Sequence, residues 1–111
     1  MSVNLTEFSQ AYTIFSNNGV QVKPYIVEQI VNKDGKSVTF EPQRKELNPP
    51  EQSYLITSIL KDVVTKGTGR RAAVDGIELA GKTGTTNDNI DAWFCGYSPS
   101  IQTIVWFGND N

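Results

Sequence analysis

Ile77-Glu78-Leu79-Ala80-Gly81-Lys82-Thr83-Gly84-Thr85 reads as an extended run, and two more of the same kind follow it, Ala92 to Tyr97 and Ile101 to Phe107. Between them stand the turn-forming segments Thr86-Asn87-Asp88-Asn89 and Ser98-Pro99-Ser100. Connections this short force antiparallel pairing, because a parallel return takes a crossover of about a dozen residues. The last third of the chain is therefore expected to form an antiparallel sheet with the Lys82-Thr83-Gly84-Thr85 run on its first strand.

Working upstream, residues 4 to 18 carry Leu5, Phe8, Ala11, Tyr12 and Phe15 at three- and four-residue steps, the pattern of a helix with one core-facing stripe. Asn4 with Glu7 three positions on matches a capping box, and Asn17-Asn18-Gly19 supplies a left-handed stop. Tyr25 to Val31 and Ser37 to Glu41 read as a β-hairpin closed around Asp34-Gly35. Residues 42 to 50 read as a connection ending in Pro49-Pro50, which opens a second helix from Glu51 to Lys66. Its Leu55, Ile56, Ile59, Leu60, Val63 and Val64 make a continuous apolar face, and Gly67 terminates it. The class is α+β: an antiparallel sheet packed with two helices and a hairpin, in one domain over residues 1–111.

Composition excludes several functions. The 111 residues carry a net charge of -2, so there is no broad basic field for nucleic acid. Histidine is absent, which removes the Ser-His-Asp and Cys-His nucleophile arrangements and the common zinc sites. The one cysteine, Cys95, has no partner for a disulfide and alternates with Trp93 and Tyr97 on one strand face, where a buried thiol is expected. No cofactor or metal is implied. No run approaches the roughly 18 apolar residues of a membrane span, and Met1 to Asn4 lacks the plan of a signal peptide.

Three motifs compete. Gly76 to Thr83 satisfies the written pattern of a phosphate loop, but such a loop follows a buried strand and opens a helix, whereas Thr83 to Asn89 is helix-averse. Ser58-Ile59-Leu60-Lys61 has the S-x-x-K spacing in which a lysine one turn on activates a serine. Ser58 lies mid-helix, however, where backbone N–H groups are already bonded and none is free for an oxyanion. Lys82-Thr83-Gly84-Thr85 combines a positive charge, two hydroxyls and a residue without a side chain, a coherent edge for the anionic end of a peptide. Strict pleating places Thr83 and Thr85 on the face opposite Lys82, so twist or an edge position must bring them together.

With its flanks, the third motif resembles a known family. Lys66-Gly67-Thr68-Gly69-Arg70-Arg71-Ala72, then Leu79 to Asp88, then Asp91 to Pro99 are similar to the C-terminal part of the transpeptidase domain of class A penicillin-binding proteins. Leu5 to Gly19 and Pro24-Tyr25 extend the resemblance upstream. The resemblance implies a partial β-lactamase/transpeptidase-like fold and an active-site serine D,D-transpeptidase that cross-links peptidoglycan stem peptides, binds their D-Ala-D-Ala end and is acylated by β-lactams. It implies a whole enzyme at the periplasmic or cell-surface side of the cytoplasmic membrane, with a glycosyltransferase domain. On this correspondence Lys82 sets the electrostatics of the cleft as the catalytic residue of the chain. Thr83 and Thr85 hold the donor carboxylate, the Thr85 N–H gives half of an oxyanion hole, and Gly84 lets substrate lie along the strand.

The family's elements come in the order S-x-x-K, S-x-N, K-T-G, whereas here Ser16-Asn17-Asn18 precedes Ser58 to Lys61, which precedes Lys82 to Gly84. The nucleophile is therefore expected upstream of residue 1 and a final covering helix beyond Asn111, leaving residues 1–111 inactive alone and prone to self-association. Two other readings stay open: a non-covalent peptide-binding or scaffold module, and a self-contained acylase using Ser58 and Lys61.

Overall fold

A computed structural model describes residues 3–88 and 90–109. Helix α1 (Leu5–Ser16) opens with the expected capping box: Asn4 Oδ1 accepts from the Glu7 N–H at 2.8 Å, and the Glu7 carboxylate accepts from the Asn4 N–H at 3.4 Å. It ends where Asn18 and Gly19 turn left-handed, at φ 54° and 90°. The stripe is narrower than expected. Phe8, Tyr12 and Phe15 are half-buried, but Leu5 and Ala11 face outward.

Strand β1 (Val20–Val22) follows, then the hairpin of β2 (Gln29–Val31) and β3 (Ser37–Thr39), paired antiparallel with Ile30 opposite Val38. Asn32 closes the hairpin, its side chain accepting from the N–H groups of Asp34 and Lys36, with Gly35 at φ 80°. Both hairpin strands are shorter than expected and fully exposed. Residues 42 to 50 are more than a connection: β4 (Arg44–Glu46) pairs antiparallel with β1, Val20 opposite Glu46.

Helix α2 (Pro50–Lys66) has proline at its first position, as expected. Its buried face is Ser53, Leu60 and Val64, while Leu55 and Ile59 are each 62% exposed, so the expected continuous apolar face is only partly used. The buried Ser53 hydroxyl donates to the Ile14 carbonyl at 3.2 Å and fastens α2 to α1.

After a single 3₁₀ turn (Arg70–Ala72), strands β5 (Ala80–Thr85), β6 (Ala92–Tyr97) and β7 (Gln102–Phe107) form an antiparallel sheet in the order β5-β6-β7. Ile77 to Leu79 stay outside β5, and Ala80 begins the strand where Leu60, Tyr97, Tyr12 and Phe15 gather into the core. The first half of the phosphate-loop pattern is thus a turn with Gly76 at φ 81° and its second half is strand, so no helix N-terminus is available to an anion there.

Two faces of the sheet differ. Trp93, Cys95, Tyr97, Gln102, Ile104 and Trp106 alternate toward α1, with Phe8 stacked on Trp93 at 5.3 Å and the Gln102 amide donating to the Ser9 carbonyl at 2.8 Å. On the other face Val105 and Phe107 are 50% and 81% exposed. No helix among the described residues is long and apolar enough to cross a membrane.

Candidate functional site

Strand β5 lies at the end of its sheet, and among the described residues no strand pairs with its outer side. Such an edge keeps unused backbone donors and acceptors for an incoming extended chain. Lys82, Thr83, Gly84 and Thr85 stand opposite Cys95, Phe94, Trp93 and Ala92, which confirms the alternation expected from pleating: Lys82 and Gly84 on the α1 face, Thr83 and Thr85 on the other.

The Lys82 ammonium folds back to donate to the carbonyl of Thr83 at 2.7 Å. That carbonyl lies in the plane of the sheet, so the charge is drawn to the strand backbone between the two faces. Lys82 is exposed, and among the described residues no carboxylate lies within 4.0 Å of its ammonium, which is free to meet an anion. Thr85 is exposed and Thr83 half-buried, its hydroxyl 2.7 Å from that of Thr68. Sequence reasoning gave Thr68 no role. Its contact with Thr83 spans fifteen residues and exists only because the loop after α2 returns to β5.

Gly84 is the informative glycine. Its φ is not positive, and an added Cβ would meet only the Cβ of Trp93, at an ordinary 3.6 Å. Nothing in the fold requires glycine there, and its effect is to leave the strand surface bare beside Lys82. A cleft of about 640 Å³ borders it, lined by Gly84, Thr85, Phe8, Trp93 and Trp106. Its rim is set by the turn after β5, where the Thr86 hydroxyl accepts from the Ile90 and Asp91 N–H groups and Asp91 accepts from the Trp106 indole at 2.9 Å.

Behind Lys82 the wall is uncharged. Cys95, its cross-strand partner, is 2% exposed. Burial pushes its thiol up to about 11, against an opposing hydrogen bond from Tyr12. Burial, followed by the proximity of Cys95 and Tyr97, pushes Tyr12 up to about 12. Tyr97 is raised by burial too, opposed by its 2.7 Å hydrogen bond with Thr57. A thiol so placed is neither a nucleophile nor a counter-ion for Lys82.

The other serine motifs are not assembled at this strand. Ser58 is exposed in the middle of α2, and Lys61 bonds the Glu78 carboxylate at 3.2 Å. Both line a separate cavity of about 340 Å³ with Tyr54 and Tyr97, which shares no lining residue with the cleft beside Gly84. Ser16 donates to the Gln102 side chain at 2.7 Å and Asn17 caps the carbonyl of Val20, both serving the helix end.

The chain as a whole is similar to known proteins. A family model described as "Penicillin binding protein transpeptidase domain" matches residues 1–109. The chain is 40% identical over 111 residues to penicillin-binding protein 1A of Aquifex aeolicus, covering 99% of this chain and 15% of that protein. To penicillin-binding protein 1A of Neisseria gonorrhoeae it is 39% identical over 109 residues, 92% of this chain and 14% of that protein. It superposes on the D,D-transpeptidase domain of a peptidoglycan glycosyltransferase from Eggerthella lenta with a TM-score of 0.77 and 31% identity, covering 90% of this chain and 25% of that one. The chain thus spans about one seventh of the length of these curated relatives. A family model that spans residues 1–109, relatives 39% and 40% identical over nearly the whole chain and a shared fold together show that the chain belongs to the penicillin-binding protein transpeptidase domain family.

Proposed function

We propose that residues 1–111 form the C-terminal part of the transpeptidase domain of a serine D,D-transpeptidase, and that they build one wall of its peptide groove. The observation that supports this reading is a strand edge, unpaired among the described residues, that carries in four consecutive positions Lys82 with no carboxylate partner among those residues, the hydroxyls of Thr83 and Thr85, and a glycine the packing does not require. The donor stem peptide lies along β5 as an added strand, with its terminal D-Ala carboxylate on the two threonine hydroxyls. The Lys82 ammonium supplies the positive potential of the cleft, and the Thr85 N–H donates to the developing oxyanion.

The nucleophile is a serine outside residues 1–111. Its oxygen attacks the carbonyl of the penultimate D-Ala, the C–N bond to the last D-Ala breaks, and that residue leaves carrying the proton. The acyl-serine is then attacked by an amine of a neighbouring stem peptide, forming the cross-link and returning the proton to the serine. A β-lactam follows the first step only, its ring C–N bond opening in place of the peptide bond. The same reading places the enzyme on the outer side of the cytoplasmic membrane, where peptidoglycan is assembled, and joins the domain to a glycosyltransferase.

The test is adduct mapping. The full-length protein treated with a fluorescent penicillin is expected to gain one covalent adduct on a serine outside residues 1–111. An adduct on Ser58 overturns the assignment, and saturable D-Ala-D-Ala peptide binding without any adduct replaces it with a non-covalent binding module.

A further inference from the structure

The hydroxyls of Thr68 and Thr83 lie 2.7 Å apart, and the loop that carries Thr68 is built to hold it there. The N–H groups of Gly67 and Gly69 both donate to the carbonyl of Val63, at 3.1 and 3.0 Å, so the residue between them is pinned on either side. Gly69 is buried and closely packed, an added Cβ meeting Val63 Cγ1 at 3.3 Å and the Phe94 ring at 3.5 Å. Thr68 itself is exposed, so its hydroxyl has water available and does not need Thr83 for satisfaction. The next residues, Arg70 and Arg71, are exposed and, among the described residues, are not within 4.0 Å of any carboxylate.

Proton bookkeeping gives the pair a direction. A threonine hydroxyl has one proton to donate, and a carboxylate only accepts. If Thr83 donates to a ligand carboxylate, it has no proton left for Thr68, so their short contact persists only with Thr68 as donor and Thr83 as acceptor. The chain of bonds then runs from Thr68 to Thr83 to the carboxylate, and the first bond polarises the second.

Resting on the reading of Thr83 as a carboxylate ligand, the geometry points to Thr68 as a positioning residue that sets the rotamer and proton direction of Thr83 and so determines selectivity for substrates with a free terminal carboxylate. The anion is recognised through a two-hydroxyl relay, with Thr68 as its anchor and Thr83 as the group in contact.

The experiment compares acylation rate constants of the full-length enzyme for a penicillin with a free carboxylate and for its neutral methyl ester. Thr68→Val, which keeps the shape and removes the hydroxyl, is expected to slow the free acid about tenfold while leaving the ester unchanged, the scale of losing one neutral hydrogen bond. Thr68→Ser is expected to restore the free acid rate. Equal slowing of both compounds, or no slowing of either, overturns the relay. Thr83→Val separates the two levels of the argument: if it slows the free acid and Thr68→Val does not, only the relay fails. If it too leaves the preference for the free acid intact, the carboxylate site and the relay fail together. Thermal melts accompany each variant, and Thr68→Ala takes the place of Thr68→Val if that protein does not fold.

Discussion

Gly81 and Gly84 stand three positions apart on one strand and do opposite things. A Cβ at Gly81 would lie 2.8 Å from Phe94 Cζ and 2.9 Å from the carbonyl oxygen of Cys95, and one at its cross-strand partner Gly96 would lie 2.6 Å from Phe94 Cε1. The Phe94 ring therefore covers both glycines and takes the space that their side chains would fill. Gly81→Ala is expected to destabilise the fold by about 1–3 kcal/mol through overpacking, whereas Gly84→Ala leaves the midpoint of a urea or thermal melt nearly unchanged and slows acylation. Equal melting points for the two variants would contradict this division.

The residue scale also sets a pH response. Cys95 and Tyr12 are neutral when protonated, and burial raises both above their ordinary values, to about 11 and about 12. Between the ordinary and raised values the folded chain holds protons that the unfolded chain has lost, so stability falls as pH rises. Their contribution is complete below pH 9 and is lost as pH rises toward about 11 and about 12. Unfolding midpoints measured across that range should decline, and Cys95 should resist a thiol reagent at pH 8 until denaturant is added. Prompt labelling of the folded chain would show an accessible thiol instead.

At the scale of elements, what could be read in the sequence depended on how locally each element is determined. The capping box of α1, the hairpin around Asp34-Gly35 and the proline start of α2 rest on neighbours within a few residues, and all three are seen. The β1–β4 pair was illegible for the opposite reason. Arg44-Lys45-Glu46 carries no strand pattern, and it is held by a contact with distant chain, the N–H groups of Leu47 and Asn48 both reaching the Gly19 carbonyl. Gly19 is required there: it sits at φ +90°, and a Cβ would fall 2.0 Å from the Asn48 carbonyl oxygen. Gly19→Ala is expected to cost roughly 3 kcal/mol or more, combining positive-φ strain with a backbone clash, and melting by circular dichroism measures it. The Lys82 to Thr85 strand was legible because its chemistry lies in consecutive residues. Thr68 was not, because its partner comes through the return of a loop.

For the molecule as a whole, the sheet is finished on one side and open on the other. Ile101, Val105 and Phe107 are 67%, 50% and 81% exposed, and Leu55 and Ile59 add apolar surface on α2. Apolar groups this numerous in a small chain favour association. A polypeptide of residues 1–111 is therefore expected to sediment as an oligomer at micromolar concentration, and a compact monomer would contradict that expectation.

If β5 is a wall of the peptide groove, the exposed Lys82 carries its positive charge. Acylation of the full-length enzyme by a penicillin, followed for the native sequence and for Lys82→Ala, tests it directly. The expected result is a loss of roughly a hundredfold or more in the acylation rate constant with an unchanged melting point, the scale on which charge-stabilising groups act in acyl transfer. Equal rate constants for the two proteins would contradict it.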